Sequence, residues 1–175
     1  DARGVNIVVQ KWLRKQRLPD EIVIEHPRYA GGHLGATRID EITDPRFDFE
    51  GAIAEILDML HKLGLESERI PLIAGGGIHT HQQVRDLLRM GASAVQIGTA
   101  FAVTEEGDAD IAFKRELADA SPEDIVTFMS VAGLPAQIAQ RYTRQHVDAL
   151  ARIGPGHPVR AGDDRLLAHA GISGA

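Results

Sequence analysis

Cysteine is missing altogether from this 175-residue chain. Disulfides, zinc–thiolate centres and thiol nucleophiles are therefore excluded. No apolar stretch approaches the ~18 residues a membrane span requires. No charged-then-apolar leader opens the chain either, so neither a membrane helix nor a signal peptide is expected. Basic and acidic residues are interspersed, 19 of one sign against 25 of the other, for a net charge of −6. Without a basic cluster or an acidic block, nucleic acid is not an expected partner and a solvating tail is not expected. A cytoplasmic location is the default, although a chain without cysteine is equally compatible with export. Residue 1 is Asp rather than Met, so residues are expected upstream of it.

What is present suits a folded domain. Hydrophobic residues make up 43% of the chain, enough for a core, and the length is that of one domain. Residues 5–15 place Val5, Val8, Val9, Trp12 and Leu13 at helical spacing, and Pro19 ends that pattern. Ile22-Val23-Ile24 reads as a short buried strand, and residues 27–48 read mostly as loop. The clearest amphipathic helix covers residues 50–63, with Ile53, Ile56, Leu57, Leu60 and Leu63 on one side and Gly64 as its cap. Residues 71–74 form a second strand; Thr80 caps a helix carried by Val84, Leu87 and Leu88, which Gly91 ends. Residues 94–97 form a third strand. This alternation predicts βαβ units with a parallel sheet. Residues 108–118 read as a further helix, Ser121-Pro122 as a helix start or turn, and residues 136–153 as a last helix. From Gly154 the composition turns to Gly, Pro, Arg and Asp, which predicts a loosely ordered tail.

Two glycine-rich turns carry the strongest functional signal. Ile73-Ala74-Gly75-Gly76-Gly77-Ile78 and Val95-Gln96-Ile97-Gly98-Thr99-Ala100 each follow a strand and lead toward a helix. Glycine lets backbone N–H groups approach an anion, and a helix start adds positive potential. In a (β/α)8 barrel the loops after strands 7 and 8 often form a phosphate site. Either turn alone is also read as a plain strand-to-helix connection without a ligand. Together, on neighbouring strands, they point to a cofactor or substrate that carries phosphate. N–H groups near Gly77 and Gly98 and the Thr99 hydroxyl are the candidate donors.

Four histidines merit separate readings. His33 lies in Ala30-Gly31-Gly32-His33-Leu34-Gly35, on the C-terminal side of the first strand, where parallel sheets collect reactive groups. Two readings compete for it: a proton-transfer residue among glycines that admit a flat ring, or a solvent-exposed loop histidine. His26 stands just beyond its strand and is a candidate to face a ligand. His79 and His81 flank Thr80, but no acidic partner or third histidine lies at ligand spacing, so helix-start surface is the favoured reading and no metal is assigned. Trp12 and the phenylalanines read as packing or surface cover.

The order of these pieces resembles a known family. Ile24-Glu25-His26-Pro27, then Ala30-Gly31-Gly32-His33-Leu34-Gly35, Ile70-Pro71-Leu72-Ile73-Ala74-Gly75-Gly76-Gly77-Ile78 and Gly91-Ala92-Ser93-Ala94-Val95-Gln96-Ile97-Gly98-Thr99-Ala100-Phe101 resemble the nitronate monooxygenases, formerly called 2-nitropropane dioxygenases. Ser130-Val131-Ala132-Gly133-Leu134-Pro135-Ala136 looks like the family's segment after the barrel. The resemblance implies an α/β fold, the C-terminal portion (about strands 6 to 8) of an FMN-binding TIM barrel, followed by a helical extension. It implies a partial barrel over residues 1–120 and a helical segment over 121–153, whereas the disordered tail expected over 154–175 rests on composition and has no counterpart in the resemblance. It implies His33 as the catalytic residue, FMN contacts from Gly31, Gly76, Gly77, Gly98 and Thr99, and a pocket lined by Gln96 and Ile97. His26 falls where relatives often carry a polar residue near the flavin.

The resemblance further implies oxidation of an alkyl nitronate or nitroalkane with O2 to a carbonyl compound and nitrite. Family members are much longer than this chain, and three strands cannot close a barrel. The partner of this half is therefore expected to be a missing N-terminal half or a second copy. The same motifs suit an NAD(P)H-dependent reductase of a quinone or enoyl thioester. A third reading is an inactive phosphate-binding or structural remnant, and an unrelated sugar-phosphate barrel would leave His33 and its glycines unexplained.

Overall fold

Apolar residues recur every three or four positions between Phe49 and Lys62, and against that stripe the strands assemble. In the computed structural model, which describes residues 1–66, 69–130 and 132–139, this segment is helix α2 (Phe49–Lys62). Ile53, Ile56 and Leu60 are completely buried on it, in one core with Ile22, Ile24, Leu72, Ala74 and Leu87. Strands β1 (Ile22–Glu25), β3 (Leu72–Gly75) and β4 (Ala94–Gln96) form a parallel sheet in the order β1-β3-β4. Ile22 and Ile24 face the helices, whereas Val23 between them is 43% exposed. The opposite face of the sheet is thus open among the described residues.

Helix ends follow the sequence chemistry closely. Helix α1 (Ala2–Leu13) contributes Val9 to the core. Helix α3 (His81–Met90) begins at Thr80, whose hydroxyl accepts from the Gln83 amide, and ends at Gly91 in the left-handed region with φ 110°. Gly64, with φ 68°, follows α2 in the same way. Gly91 is doubly constrained, because a β-carbon there would also stand 2.5 Å from Leu57 Cδ1. No helix among the described residues is long and apolar enough to cross a membrane.

Residues 27–48, expected as loop, contain more order than that. A two-residue strand β2 (Gly32–His33) and two 3-10 turns lie within them. Ala30, Leu34, Ala36, Ile42 and Phe47 form a second small core beneath. The carboxylate of Glu41 ties this segment together by accepting from the Thr37 hydroxyl at 2.7 Å and pairing with Arg46 at 3.1 Å. The Thr37 hydroxyl bond is the main cause that holds the Glu41 carboxyl below its ordinary pKa, against an opposing effect of desolvation.

Helices α4 (Thr99–Ala102) and α5 (Ile111–Asp119) follow β4. Within the helical segment expected over 121–153, residues 125–129 and 135–139 are strand instead. After a single 3-10 turn at Pro122–Asp124, the chain forms an antiparallel hairpin, β5 (Ile125–Met129) with β6 (Pro135–Ala139). Ile125, Val126, Thr127 and Phe128 are β-branched or aromatic and suit a strand, and Gly133 with φ 73° turns the chain between the two. Strand β6 also pairs with β2, giving a second sheet in the order β2-β6-β5. The rest of the expected helix, and the expected tail over 154–175, lie outside the described residues.

Two substitutions test the core and its cap. Ile53→Ala is expected to cost about 2–5 kcal/mol of stability. Gly91→Ala is expected to cost about 1–3 kcal/mol, from its left-handed backbone and the Leu57 contact together. Urea denaturation followed by circular dichroism measures both.

Candidate functional site

Parallel pairing brings the C-terminal ends of the three central strands level. Glu25 is registered with Gly75, and Gly75 with Gln96. A β-carbon at Gly75 would stand 3.5 Å from Gln96 Cβ and 3.6 Å from Glu25 Cγ, so these two polar side chains flank a bare backbone position. Beyond this row the loops after β1, β3 and β4 border a cavity of about 870 Å³. Gly31, Gly76, Gly77, Gln96, Ile97, Gly98 and Thr99, the residues expected to contact a cofactor, all line it. Helix α5 adds Phe113 and Leu117 to its wall, and the hairpin adds Ile125 and Gln137.

The Gly76–Gly77 turn has its shape fixed from two sides. Both residues adopt positive φ, 97° and 71°. A β-carbon at Gly76 would meet the His26 carbonyl oxygen at 3.3 Å, and one at Gly77 would stand 2.9 Å from Tyr29 Cβ and Cγ. The loop after β1 is therefore laid directly on the turn, and the His26 amide donates to the Gly75 carbonyl at 3.1 Å. On the other side, Gln83 reaches back from α3. Its Oε1 accepts from the His79 and Thr80 amides, each at 3.0 Å, while its Nε2 donates to the Gly77 carbonyl at 3.1 Å. His79 Nδ1 also donates to that carbonyl, at 3.0 Å. His81 is simply the first residue of α3. Among the described residues no three ligating side chains gather for a metal.

His26 does not face the cavity. It is buried at 6% exposure, with Nε2 3.2 Å from Asp48 Oδ1 and Nδ1 accepting from the Arg28 amide at 3.3 Å. Its ring lies 4.8 Å from that of Tyr29 and 5.7 Å from that of Phe49. It supports the Tyr29 loop from beneath. His33 lies on β2, next to the cavity residue Gly32, and is exposed. Its Nε2 is 3.0 Å from Ser130 Oγ, on the turn between β5 and β6. Tyr29, Gln83 and Ser130 were not read as site residues from sequence. Gln83 had a local signal in its spacing from Thr80, that of a reciprocal capping box; the other two depend on contacts made only by folding.

The cavity presents bare backbone at several points of its border. Gly31, Gly32 and Gly98 border it, and a β-carbon at any of them would meet nothing within 4 Å, so bare backbone is presented to open space. The N-terminus of α3 directs positive potential toward the adjoining turn. A family model described as nitronate monooxygenase matches residues 2–154. The chain belongs to the nitronate monooxygenase family. A probable nitronate monooxygenase of Bacillus subtilis (strain 168) is 30% identical over 121 residues, which are 69% of this chain and 32% of that protein. The nitronate monooxygenase of Pseudomonas aeruginosa is 44% identical over 89 residues, 50% of this chain and 22% of that one. The chain thus spans about a third or less of these curated relatives. Among solved structures, nitroalkane oxidase from Streptomyces ansochromogenes aligns with a TM-score of 0.55 and 26% identity, over 96% of this chain and 46% of that one. FabK from Thermotoga maritima aligns at 0.56 with 21% identity, over 84% and 42%, a likeness of fold.

In this nitronate monooxygenase family member the two glycine turns should respond differently to a methyl group. Gly77→Ala is expected to cost about 1–3 kcal/mol, because the new carbon meets Tyr29 on a positive-φ backbone. Gly98→Ala is expected to stay within about 0.5 kcal/mol of the parent, because its β-carbon has open space. Thermal denaturation of the two variants separates these outcomes.

Proposed function

We propose that this chain is the FMN-binding C-terminal part of a nitronate monooxygenase, contributing about strands 6 to 8 of a (β/α)8 barrel through β1, β3 and β4. The observation that supports it most is the convergence of the Gly76–Gly77 and Gly98–Thr99 turns on one cavity whose glycines expose bare backbone. Backbone amides near Gly77 and Gly98 and the Thr99 hydroxyl would hold the phosphate. Gly31 and Gly32 would admit the ring system past the chain, with Gln96 and Ile97 beside it. When bound, FMN would supply the redox chemistry by which a nitronate and O2 give a carbonyl compound and nitrite.

The protein's own contribution centres on His33. With a neutral nitroalkane, its imidazole takes the proton from the carbon bearing the nitro group. With a nitronate already formed, the same ring positions the anion. Strand β2 sets His33 next in the chain to the cavity residue Gly32, although His33 itself is not among the residues lining that cavity.

The test uses the full-length protein that contains this chain. Its purified form is expected to carry bound FMN, bleached anaerobically by an alkyl nitronate. Bleaching by NAD(P)H and not by nitronate would overturn the assignment in favour of a reductase. His33→Asn is expected to lower kcat/KM for a neutral nitroalkane by about 10²–10⁴-fold, with a much smaller loss on the corresponding nitronate. Equal losses on both would count against the base role.

A further inference from the structure

The contact between His33 and Ser130 joins residues 97 positions apart in the chain. Both ends of the contact are held by backbone. On one side, β2 is paired to β6, with Gly32 opposite Gln137 and His33 opposite Ala136, and the Leu34 amide donates to the Pro135 carbonyl at 3.0 Å. On the other, the turn carrying Ser130 is closed by two hydrogen bonds of 2.9 Å, Ser130 N–H to the Leu134 carbonyl and Gly133 N–H to the Ser130 carbonyl. A side-chain bond between Gln137 Nε2 and Thr127 Oγ1, at 3.1 Å, links the two hairpin strands. The exposed hydroxyl–imidazole bond must compete with water, and an isolated one would contribute little. Here the two side chains are brought to each other by backbone hydrogen bonds that involve neither of those side chains.

We propose that Ser130 is the positioning residue for His33: its Oγ accepts from Nε2–H, fixing the ring and its tautomer and leaving Nδ1 as the nitrogen that exchanges a proton with substrate. The proposal rests on the nitronate monooxygenase reading. Among the described residues no protein group bonds Nδ1, whereas Nε2 is occupied. A neutral imidazole carries one proton, and its location is set by the bond the other nitrogen makes. With the proton on Nε2 and shared with Ser130, Nδ1 presents a lone pair. As the C–H bond of the nitroalkane breaks, its electron pair moves into the nitro group to form the nitronate, and the proton passes to Nδ1. The resulting imidazolium keeps its Nε2–H bond to Ser130, so the charge develops on a ring already oriented and partly solvated by the hydroxyl. Were the hydroxyl instead to donate to Nε2, Nδ1 would hold the proton and could not act as the base.

The experiment compares the full-length flavin-bound protein with its Ser130→Ala and Ser130→Thr variants, by two measurements. Imidazole ¹⁵N NMR, assigned with His33→Asn, is expected to show the neutral ring protonated at Nε2 in the parent and a tautomer mixture in Ser130→Ala. A parent ring protonated at Nδ1, or a distribution unchanged in Ser130→Ala, overturns the proposal. In kinetics, Ser130→Ala is expected to lose at least about tenfold more kcat/KM on a neutral nitroalkane than on its nitronate. Ser130→Thr, which keeps the hydroxyl, is expected to recover most of that difference. Equal losses on the two substrates, or no rescue by threonine, would also overturn it. Failure of the parent to oxidise nitronate would instead defeat the functional reading, and the NMR result would still decide the role of Ser130.

Discussion

Register in the parallel sheet is the constraint on which the rest of this molecule depends. Because Glu25, Gly75 and Gln96 are cross-strand partners, the three strands end at one height and their loops start from a common plane. A slip of one residue would turn Ile22, Ile24 and Leu72 away from the helices. The fully buried Ile53, Ile56 and Leu60 of α2 oppose such a slip, so packing on one face fixes where the loops begin on the edge. Glycine at position 75 keeps that row open between two polar side chains.

The parts of the architecture governed by short-range chemistry were legible in the residues. Thr80 and Gly91 bound α3 as a polar cap and a left-handed stop, and the spacing of Ile53, Ile56 and Leu60 defined α2. The hairpin was not legible, because Ile125–Met129 is a short apolar run whose period does not separate strand from helix. Pro135 is the first residue of β6, a position where a strand tolerates proline. The five residues expected to contact a cofactor and the two expected to line its pocket border one cavity, since the glycine-rich strand ends on neighbouring strands mark where loops meet. The direction in which His26 faces was open in the sequence. Whether a polar residue just past a strand turns outward or inward depends on its neighbours, and here Asp48, Tyr29 and Phe49 surround it.

Tyr29 shows how one side chain can serve two loops. It covers Gly77 so closely that no β-carbon fits between them, and it rests on the buried ring of His26. The Arg28 guanidinium lies 5.5 Å from its ring centre, at the rim of the cavity. The loop after β1 is thereby both wall and clamp, and the histidine that follows on β2 inherits its position from the same segment. Sheet β2-β6-β5 then fastens the far end of that segment.

Gln83 makes the glycine turn and the helix behind it a single object. One amide group satisfies the N-terminal amides of His79 and Thr80 through its oxygen and the Gly77 carbonyl through its nitrogen. All these partners lie within six residues of one another in the chain, so they meet by local closure and need no ligand to organise them. A guest arriving at this turn finds it already set and loses little entropy in ordering it. The corollary concerns engineering: transplanting the glycines alone into another protein would carry over the letters without the shape, whereas the span from Gly75 to Gln83 would bring the bracing that Gln83 supplies and leave out that of Tyr29.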